Sequence, residues 1–243
     1  MTLAYELEQE RRTQVGLIVL QADEVLEDDM RRLLPPDLSC LVSRVPSGEE
    51  LTSETLRKME GHLTQAATLF PRAARFSAVA YGCTSGAAEL GSERVANLIH
   101  AGTTTSAVTD PVTALIAASR TLGVSRLGLI SPYVAHVSDR LRDTLRAAGL
   151  QTPCVASFAE PLEENVARIT EASLVQAAVS IGQRPDCDAV FLSCTNLRTL
   201  NILPRIASEI GKPVLSSNLV LAWHLLELCG LDQSRLISET LPH

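Results

Sequence analysis

The chain has 243 residues, of which 46% are hydrophobic and 20% are charged, and its formal net charge is −7. This composition excludes an intrinsically disordered protein, and the length suits either one large α/β domain or two small lobes. A pI near 5.3 with scattered cations argues against a nucleic-acid-binding surface, which requires clustered positive charge.

Short β-branched runs alternate with longer amphipathic stretches, which is typical of a mainly parallel α/β sheet. The predicted strands are 15–20, 39–45, 77–81, 105–108, 126–130, 152–158, 189–193 and 213–216. The predicted helices lie near 24–34, 53–69, 86–100, 111–122, 135–149, 164–182, 204–210 and 218–229. Residues 6–12 are charged and form either a frayed helix or an arm onto a second subunit.

Residue types at several helix ends support these boundaries. The predicted helix starts, where a polar side chain caps the first turn, are Thr52 or Ser53, Asp110 followed by Pro111, and Asn218. The predicted helix ends, where a residue with positive φ is needed, are followed by Gly123, Gly149 and Gly230.

The two halves of the sequence resemble each other. Residues 14–18 recur as 126–130, and residues 78–84 recur at nearly the same offset as 189–195. A chance likeness of short apolar strands does not account for the Cys-Thr pair that follows the strand in both copies. We therefore predict two copies of one βα lobe related by a pseudo-twofold axis. The first lobe would comprise 14–110 with 218–243 as a closing C-terminal helix, and the second 111–217. Thr109-Asp110 is likewise echoed by Ser217-Asn218.

The two repeated cysteines, Cys83 and Cys194, each lie at the carboxyl end of a predicted strand. Ligands of open α/β sheets bind outside these ends, so we expect the two thiols to flank one small ligand in the cleft between the lobes. A turn into a helix follows each cysteine, and its N–H groups can hold a carboxylate and lower a thiol pKa. We expect the pKa of Cys83 in particular to lie below the free value of about 8.5.

The remaining cysteines are expected to be small buried residues, because no comparable turn follows them: Cys40, Cys154, Cys187 and Cys229. No C-x-x-C pair or ligand-spaced histidine predicts a metal site. The sequence also lacks the glycine-rich motifs of nucleotide-binding loops, and Lys58 and Lys212 offer no well-placed Schiff base for pyridoxal phosphate. We expect no cofactor. Of the histidines, His136 alone is expected near the cleft.

The segments Tyr81 to Gly86 and Leu192 to Arg198 resemble the two active-site segments of the aspartate/glutamate racemase superfamily. The resemblance covers almost the whole chain and is closest to the branch of maleate cis–trans isomerase, arylmalonate decarboxylase and the ectoine-utilisation protein EutA. It implies an α/β fold of two pseudo-symmetric flavodoxin-like lobes and a cofactor-independent enzyme with Cys83 and Cys194 as catalytic residues. The decarboxylase keeps only the second cysteine, so the presence of both favours isomerase or racemase chemistry.

The resemblance also implies a set of substrate-binding residues: Asp23, Thr84, Ser85, Tyr133, Glu163, Thr195 and Asn196. The maleate isomerases place asparagines where this chain has Asp23 and Glu163. An amide donates a hydrogen bond to a substrate carboxylate, whereas an acidic side chain repels one and suits an ammonium or amidine-like group. For Glu163, a solvated position in an acid-rich loop is the alternative.

We therefore expect an isomerase or racemase that acts next to a carboxylate of a small amino acid or dicarboxylate. The alternatives are a maleate cis–trans isomerase proper and a non-catalytic protein that binds a small carboxylate, although the latter leaves the paired thiols unexplained. No apolar run reaches the roughly 18 residues of a membrane span, and the first residues do not resemble a secretory signal. A cytoplasmic homodimer or higher homo-oligomer without nucleic-acid or membrane partners is expected.

Overall fold

The computed structural model describes residues 1–8, 12–48, 50, 52–238 and 240–241. The predicted segment 6–12 falls partly outside them, since residues 9–11 are not described, and residues 6–8 are exposed without regular structure. Within the described residues, no helix has the length and apolar character needed to cross a membrane.

Two parallel four-stranded sheets organise the described residues. The first contains β1 (Gln14–Leu20), β2 (Ser39–Val45), β3 (Ala78–Gly82) and β4 (Val108–Thr109) in the order β2-β1-β3-β4. The second contains β5 (Arg126–Ser131), β6 (Gln151–Ser157), β7 (Ala189–Leu192) and β8 (Val214–Ser216) in the order β6-β5-β7-β8. Each predicted strand is present, although β4 is shorter than predicted and begins later.

The helices of the first half are α1 (Leu26–Leu33), α2 (Ser53–Thr68), α3 (Thr84–Leu90), α4 (Ser92–Gly102) and α5 (Pro111–Leu122). Those of the second half are α6 (Ala135–Ala147), α7 (Glu163–Val166), α8 (Glu171–Gly182), α9 (Leu203–Ile210), α10 (Ser217–Leu228) and α11 (Ser234–Ser238). The predicted α/β fold with two similar lobes is thereby confirmed.

The strand register repeats with the strand order. Val15 of β1 pairs with Ala78 of β3, and Leu127 of β5 pairs with Ala189 of β7. These pairs occupy matching positions of the internal sequence repeat. The repeat therefore reflects two copies of one strand arrangement, each with its carboxyl ends at one edge of its own sheet.

Capping side chains begin the helices largely as predicted. Thr52 accepts a hydrogen bond from the Thr55 N–H at 3.1 Å, and Asp110 accepts from the Val112 and Thr113 N–H groups. The predicted start at Asn218 is wrong, because the Ser216 hydroxyl caps α10 by accepting from the Leu219 N–H. The positive φ angles predicted after helices are confirmed at Gly123, Gly149 and Gly230.

Two predicted helices are each divided. The predicted helix 86–100 is α3 and α4, separated at Gly91, whose φ of 85° lies outside the helical region. The predicted helix 164–182 is α7 and α8, and Thr170 caps the second by accepting from the Ser173 N–H. Helix α11 was not predicted.

Helix α10 is buried along almost its whole length and packs against α1, α5 and β3. Most of its residues are apolar, and a helix of this kind belongs inside a protein, which explains how this segment fills space beside the first sheet. The division into 14–110 with 218–243 and 111–217 stays a prediction, and residues 239, 242 and 243 lie outside the described part.

Candidate active site

The two turns that follow β3 and β7 meet at one place. Cys83 follows β3 directly, Cys194 lies two residues beyond β7, and both side chains are buried. The Thr84 and Ser217 hydroxyls form a 2.8 Å hydrogen bond, and the Cys194 N–H donates to the same Ser217 Oγ at 3.0 Å. One hydroxyl pair thus connects the two cysteine turns across the lobes.

Helix α3 presents its first turn to the Cys83 thiol. The Gly86 N–H donates to Cys83 Sγ at 3.1 Å, and the Ser85 hydroxyl lies 3.6 Å from the same sulfur. A Cβ at position 86 would approach the Tyr81 hydroxyl to 2.5 Å and Cys83 Sγ to 2.9 Å. Only glycine therefore allows the helix to start this close to the thiol.

Cys194 adopts a backbone conformation that favours glycine, with φ at 146°. Its Sγ accepts from the Asn196 N–H at 3.4 Å and is hydrogen-bonded by the Tyr133 hydroxyl. A non-glycine residue in such a region costs about 1–3 kcal/mol and persists where the surroundings hold it. The hydrogen bonds of the Cys194 N–H to Ser217 Oγ and of the Asn196 N–H to Cys194 Sγ hold Cys194 in this conformation.

Burial controls the ionisation of both thiols. It raises the pKa of Cys83 to about 12 and that of Cys194 well above its usual value, and the charge of Glu163 adds to both increases. Hydrogen bonds from Ser85 to Cys83 and from Tyr133 to Cys194 act in the opposite direction. The predicted low pKa of Cys83 is therefore wrong, because loss of solvent outweighs the helix N–H groups.

The Tyr133 side chain interacts electrostatically with both thiols. Its side chain is buried, and burial together with the charges of Cys194 and Cys83 raises the pKa of its hydroxyl well above the usual value. The Tyr133 N–H donates to the Ser131 hydroxyl at 3.0 Å, which fixes the turn after β5. The predicted substrate-facing tyrosine thus contacts the same centre as the cysteines.

Asn196 joins residues from both halves of the chain. Its Nδ2 donates to Glu163 Oε2 at 3.1 Å and to the Glu163 carbonyl at 3.2 Å, while its Oδ1 accepts from the Glu24 N–H at 2.9 Å. The neighbouring Thr195 hydroxyl donates to the Gly82 carbonyl at 3.2 Å. These contacts bring the predicted site residues of both lobes together.

Two acidic side chains are buried at this centre. Glu163 is 5% exposed, so its interpretation as a solvated loop residue is wrong. Asp23 is 4% exposed, and its Oδ1 accepts from the Val25 and Leu26 N–H groups at 2.8 Å each. Burial raises the pKa of both carboxyl groups.

The sequence reasoning missed three residues that support the site. Asn218 Nδ2 donates to Asp29 Oδ2 at 2.7 Å and to the Thr195 carbonyl at 2.9 Å, and Ser217 binds the Cys194 N–H. The echo of Thr109-Asp110 marked Ser217 and Asn218 as repeated landmarks, but nothing marked Asp29. His136 is exposed beside Arg57, Glu89 and Arg140 rather than buried with the thiols.

The burial of Glu163 predicts a pH dependence of stability. Its pKa rises from 4.5 to about 7, chiefly through burial. Between these values the folded protein holds a proton that the unfolded chain has released, so the free energy of unfolding should fall as pH rises, by up to about 3 kcal/mol from this group. Urea denaturation from about pH 4 to about pH 8 would measure this change, because these limits lie below the ordinary pKa of the group and above its raised pKa.

The matched variants for this measurement are Glu163→Gln and Glu164→Gln, since the second removes an exposed neighbour. Glu163→Gln should flatten the pH profile, and Glu164→Gln should retain it. Asp23 and Asp29, whose pKa values burial also raises, leave a remaining slope of the same sign. Superimposable profiles for wild type and Glu163→Gln would contradict the expectation.

Comparison with known proteins agrees with this arrangement. The arylmalonate decarboxylase family model matches residues 49–240. Arylmalonate decarboxylase of Bordetella bronchiseptica is 34% identical over 119 residues, which cover 49% of this chain and only half of that protein. Maleate isomerase of Geobacillus stearothermophilus is 24% identical over 232 residues, covering 89% of this chain and 92% of that protein.

A solved structure shows the same fold. A variant of arylmalonate decarboxylase in a liganded form has a TM-score of 0.80 and 28% sequence identity, and the match covers 90% of this chain and 93% of that one. The family match spans both cysteine turns, strands β3 and β4 of the first sheet and the whole second sheet. The chain therefore belongs to the arylmalonate decarboxylase family, within the aspartate/glutamate racemase-like superfamily of enzymes.

Proposed function

We propose that the chain is a cofactor-independent isomerase or racemase in which Cys83 and Cys194 act on a small carboxylate-bearing substrate. The observation that carries the proposal is the pair of buried thiols at equivalent strand ends, joined through Thr84 and Ser217. Tyr133 adds a hydroxyl that interacts with both sulfur atoms. A single buried cysteine is more simply explained as a small packing residue, but two at repeated positions favour a catalytic role.

In a racemase reaction, one thiolate would remove the proton α to the substrate carboxylate, and the opposite thiol would supply a proton to the other face. The electron pair of the broken C–H bond passes to the carboxylate as an enediolate. The Thr84 and Ser85 N–H groups open α3, where helix geometry provides no intrahelical acceptor, and they would stabilise that charge. The second proton transfer restores the carboxylate.

In a cis–trans isomerisation, the Cys83 thiolate would instead form a C–S bond to one alkene carbon, and Cys194 would give a proton to the other. Rotation about the resulting single bond and loss of the same thiolate and a proton would give the trans alkene. The relatives named maleate isomerase favour this second candidate for the same residues. The buried acids Asp23 and Glu163 disfavour maleate itself.

A non-catalytic binding protein remains the alternative from another class. Such a protein would need the turns that hold a carboxylate but neither thiol. Binding alone would therefore not explain the backbone N–H groups that donate to Cys83 Sγ and Cys194 Sγ. These sulfur contacts support an enzyme over a binding protein.

The experiment that tests the proposed function uses D2O and NMR. Small amino acids, diamino acids and maleate are each incubated with the enzyme, and α-deuteration and alkene isomerisation are followed in the same samples. Cysteine-dependent exchange at the α carbon would support the racemase, and cysteine-dependent conversion of maleate the isomerase. Binding of a panel member without either reaction would favour the binding protein and contradict the proposal.

We propose further that the enzyme is a cytoplasmic homo-oligomer that uses residues 1–8 as an arm. Leu3, Tyr5 and Leu7 are 70–80% exposed, and their alternate spacing would place them on one face of an extended segment. Light scattering should give at least twice the chain mass of 26.1 kDa, and deletion of residues 1–8 should lower it. A monomeric full-length protein would contradict this assembly.

A further inference from the structure

Two acidic side chains from different halves of the chain are buried at the thiols. Asp23 lies between β1 and α1, whereas Glu163 opens α7 in the second half. The charge of each raises the pKa of Cys194, and Asp23 also raises that of Glu163. Their carboxylates therefore lie in one electrostatic environment, with Asn196 bonded to both segments.

Neither carboxyl group is paired with a cationic side chain within the described residues. Asp23 Oδ2 is buried and accepts no hydrogen bond, although the Thr195 hydroxyl lies close enough to lower the pKa of this group. No lysine or arginine of the described part forms an ion pair with Asp23 or Glu163. Arg44 donates to the Asp23 carbonyl at 3.1 Å and its charge lowers the pKa of Asp23, but its guanidinium pairs with Glu27.

Buried carboxylates without a cation are costly, and proteins keep them where a function requires them. The second oxygen of Asp23 is an acceptor with free capacity, and the charge of this carboxylate acts on the Cys194 thiol. A second substrate carboxylate near it would meet like charge in a poorly solvated place. A nitrogen that carries positive charge and N–H groups would satisfy both the charge and the free oxygen.

We infer that Asp23 and Glu163 form a subsite for a cationic nitrogen, so that the substrate carries an ammonium or amidinium group as well as its carboxylate. This inference rests on the proposed two-cysteine function and narrows its substrate class. The two nitrogen sources share the same charge and donor groups and differ in shape, since an amidinium is flat. Asn196 positions Glu163 toward the subsite through its two Nδ2 contacts.

The same subsite would connect substrate binding to thiol ionisation. Without ligand, the negative charge of Glu163 opposes ionisation of both cysteines, and Asp23 adds to this at Cys194. A bound cation would cancel part of that charge, while the Tyr133 hydrogen bond to Cys194 remains. Thiolate would then form mainly when a cationic substrate is present.

The test uses Asp23→Asn, Glu163→Gln and the double variant. Each amide retains the shape of the acid and one oxygen to accept the hydrogen bonds that the acid accepts. Glu164→Gln is the matched control, because Glu164 is exposed next to Glu163. The probes are 2,4-diaminobutyrate for the ammonium source, ectoine for the flat amidinium source, and maleate as the dicarboxylate. Binding is measured by isothermal titration calorimetry, and turnover by NMR in D2O.

In the wild type, at least one cationic probe should bind and exchange its α proton, and maleate should bind poorly. The double variant should lower kcat/KM for that probe by about a hundredfold or more and should bind maleate about tenfold more tightly. Glu164→Gln should change neither. Exchange of diaminobutyrate alone would assign an ammonium subsite, and exchange of ectoine alone an amidinium subsite.

Efficient wild-type turnover of maleate that the double variant does not alter would overturn the inference. So would the absence of binding of both cationic probes at millimolar concentration. Cysteine variants separate this result from failure of the proposed function. If maleate turnover disappears in Cys83→Ala, the two-cysteine function stands and only the subsite is wrong; if turnover of every probe persists in that variant, the function itself fails.

Discussion

Replacement of Cys83 or Cys194 by alanine is expected to lower kcat/KM by about a thousandfold or more while the fold is retained. Each thiol would handle one proton or one bond of the reaction, and neither scheme proceeds with a methyl group in its place. Both side chains are small and buried, so alanine leaves only a minor cavity. NMR assays in D2O measure the loss, and circular dichroism checks the fold.

The matched control is Cys40→Ala, since Cys40 is half-buried on strand β2 away from the two turns. It should retain full activity. Wild-type rates in either active-site variant would remove the two-thiol mechanism. A Cys194→Ala enzyme that still exchanges the α proton of one enantiomer would show one base for each face and would favour the racemase over the alkene scheme.

Asn196→Leu is expected to lower the free energy of unfolding by about 3–5 kcal/mol and to reduce activity as well. The variant keeps the approximate volume but removes the donor to Glu163 and the acceptor for the Glu24 N–H. Glu24 is exposed, but Glu163 would be buried without its side-chain donor. Above its pKa of about 7 this carboxylate is charged, and the cost of an unsatisfied buried charge is large. Urea denaturation with a common m-value measures the change.

Asn201→Leu is the control for Asn196→Leu, because Asn201 is an exposed asparagine that also makes side-chain hydrogen bonds. It should cost about 1 kcal/mol or less. The double variant Asn196→Leu with Glu163→Gln should cost less than the sum of the two single changes, since the buried charge is gone. Equal losses for Asn196→Leu and Asn201→Leu would show that the buried network does not stabilise the fold.

Much of the architecture follows from local patterns. Strand runs and the internal repeat predict the two sheets, because period and β-branched content are properties of short segments. The repeated Cys-Thr pair and the strand-end rule place Cys83 and Cys194 at one centre. The resemblance adds Tyr133, Asp23 and Glu163, which the structure also places there. Their contact with substrate stays a prediction.

Other features depend on long-range packing and escape such patterns. The break at Gly91 needs knowledge of its positive φ, and the cap of α10 at Ser216 could not be separated from Asn218 by residue type. The sequence predicts a lowered pKa for Cys83 because the N–H groups of the following turn are visible in the local sequence. Burial, which raises this pKa instead, depends on how both lobes pack. Asp29 contacts the site through Asn218, which lies 189 residues further along the chain.

The two cysteine turns occupy equivalent positions but differ in backbone conformation. Cys83 is extended with φ at −151°, whereas Cys194 has φ at 146°. Both sulfur atoms accept a backbone N–H and interact with a tyrosine hydroxyl, from Tyr81 at Cys83 and from Tyr133 at Cys194. The two sides of the site are still chemically unequal, because the Ser85 hydroxyl also lies 3.6 Å from Cys83 Sγ and the two backbones differ. For a racemase, the Haldane relation still requires equal kcat/KM for both enantiomers, because their equilibrium constant is one. The inequality of the turns must then show itself in kcat and KM separately, and in unequal solvent isotope effects for the two directions.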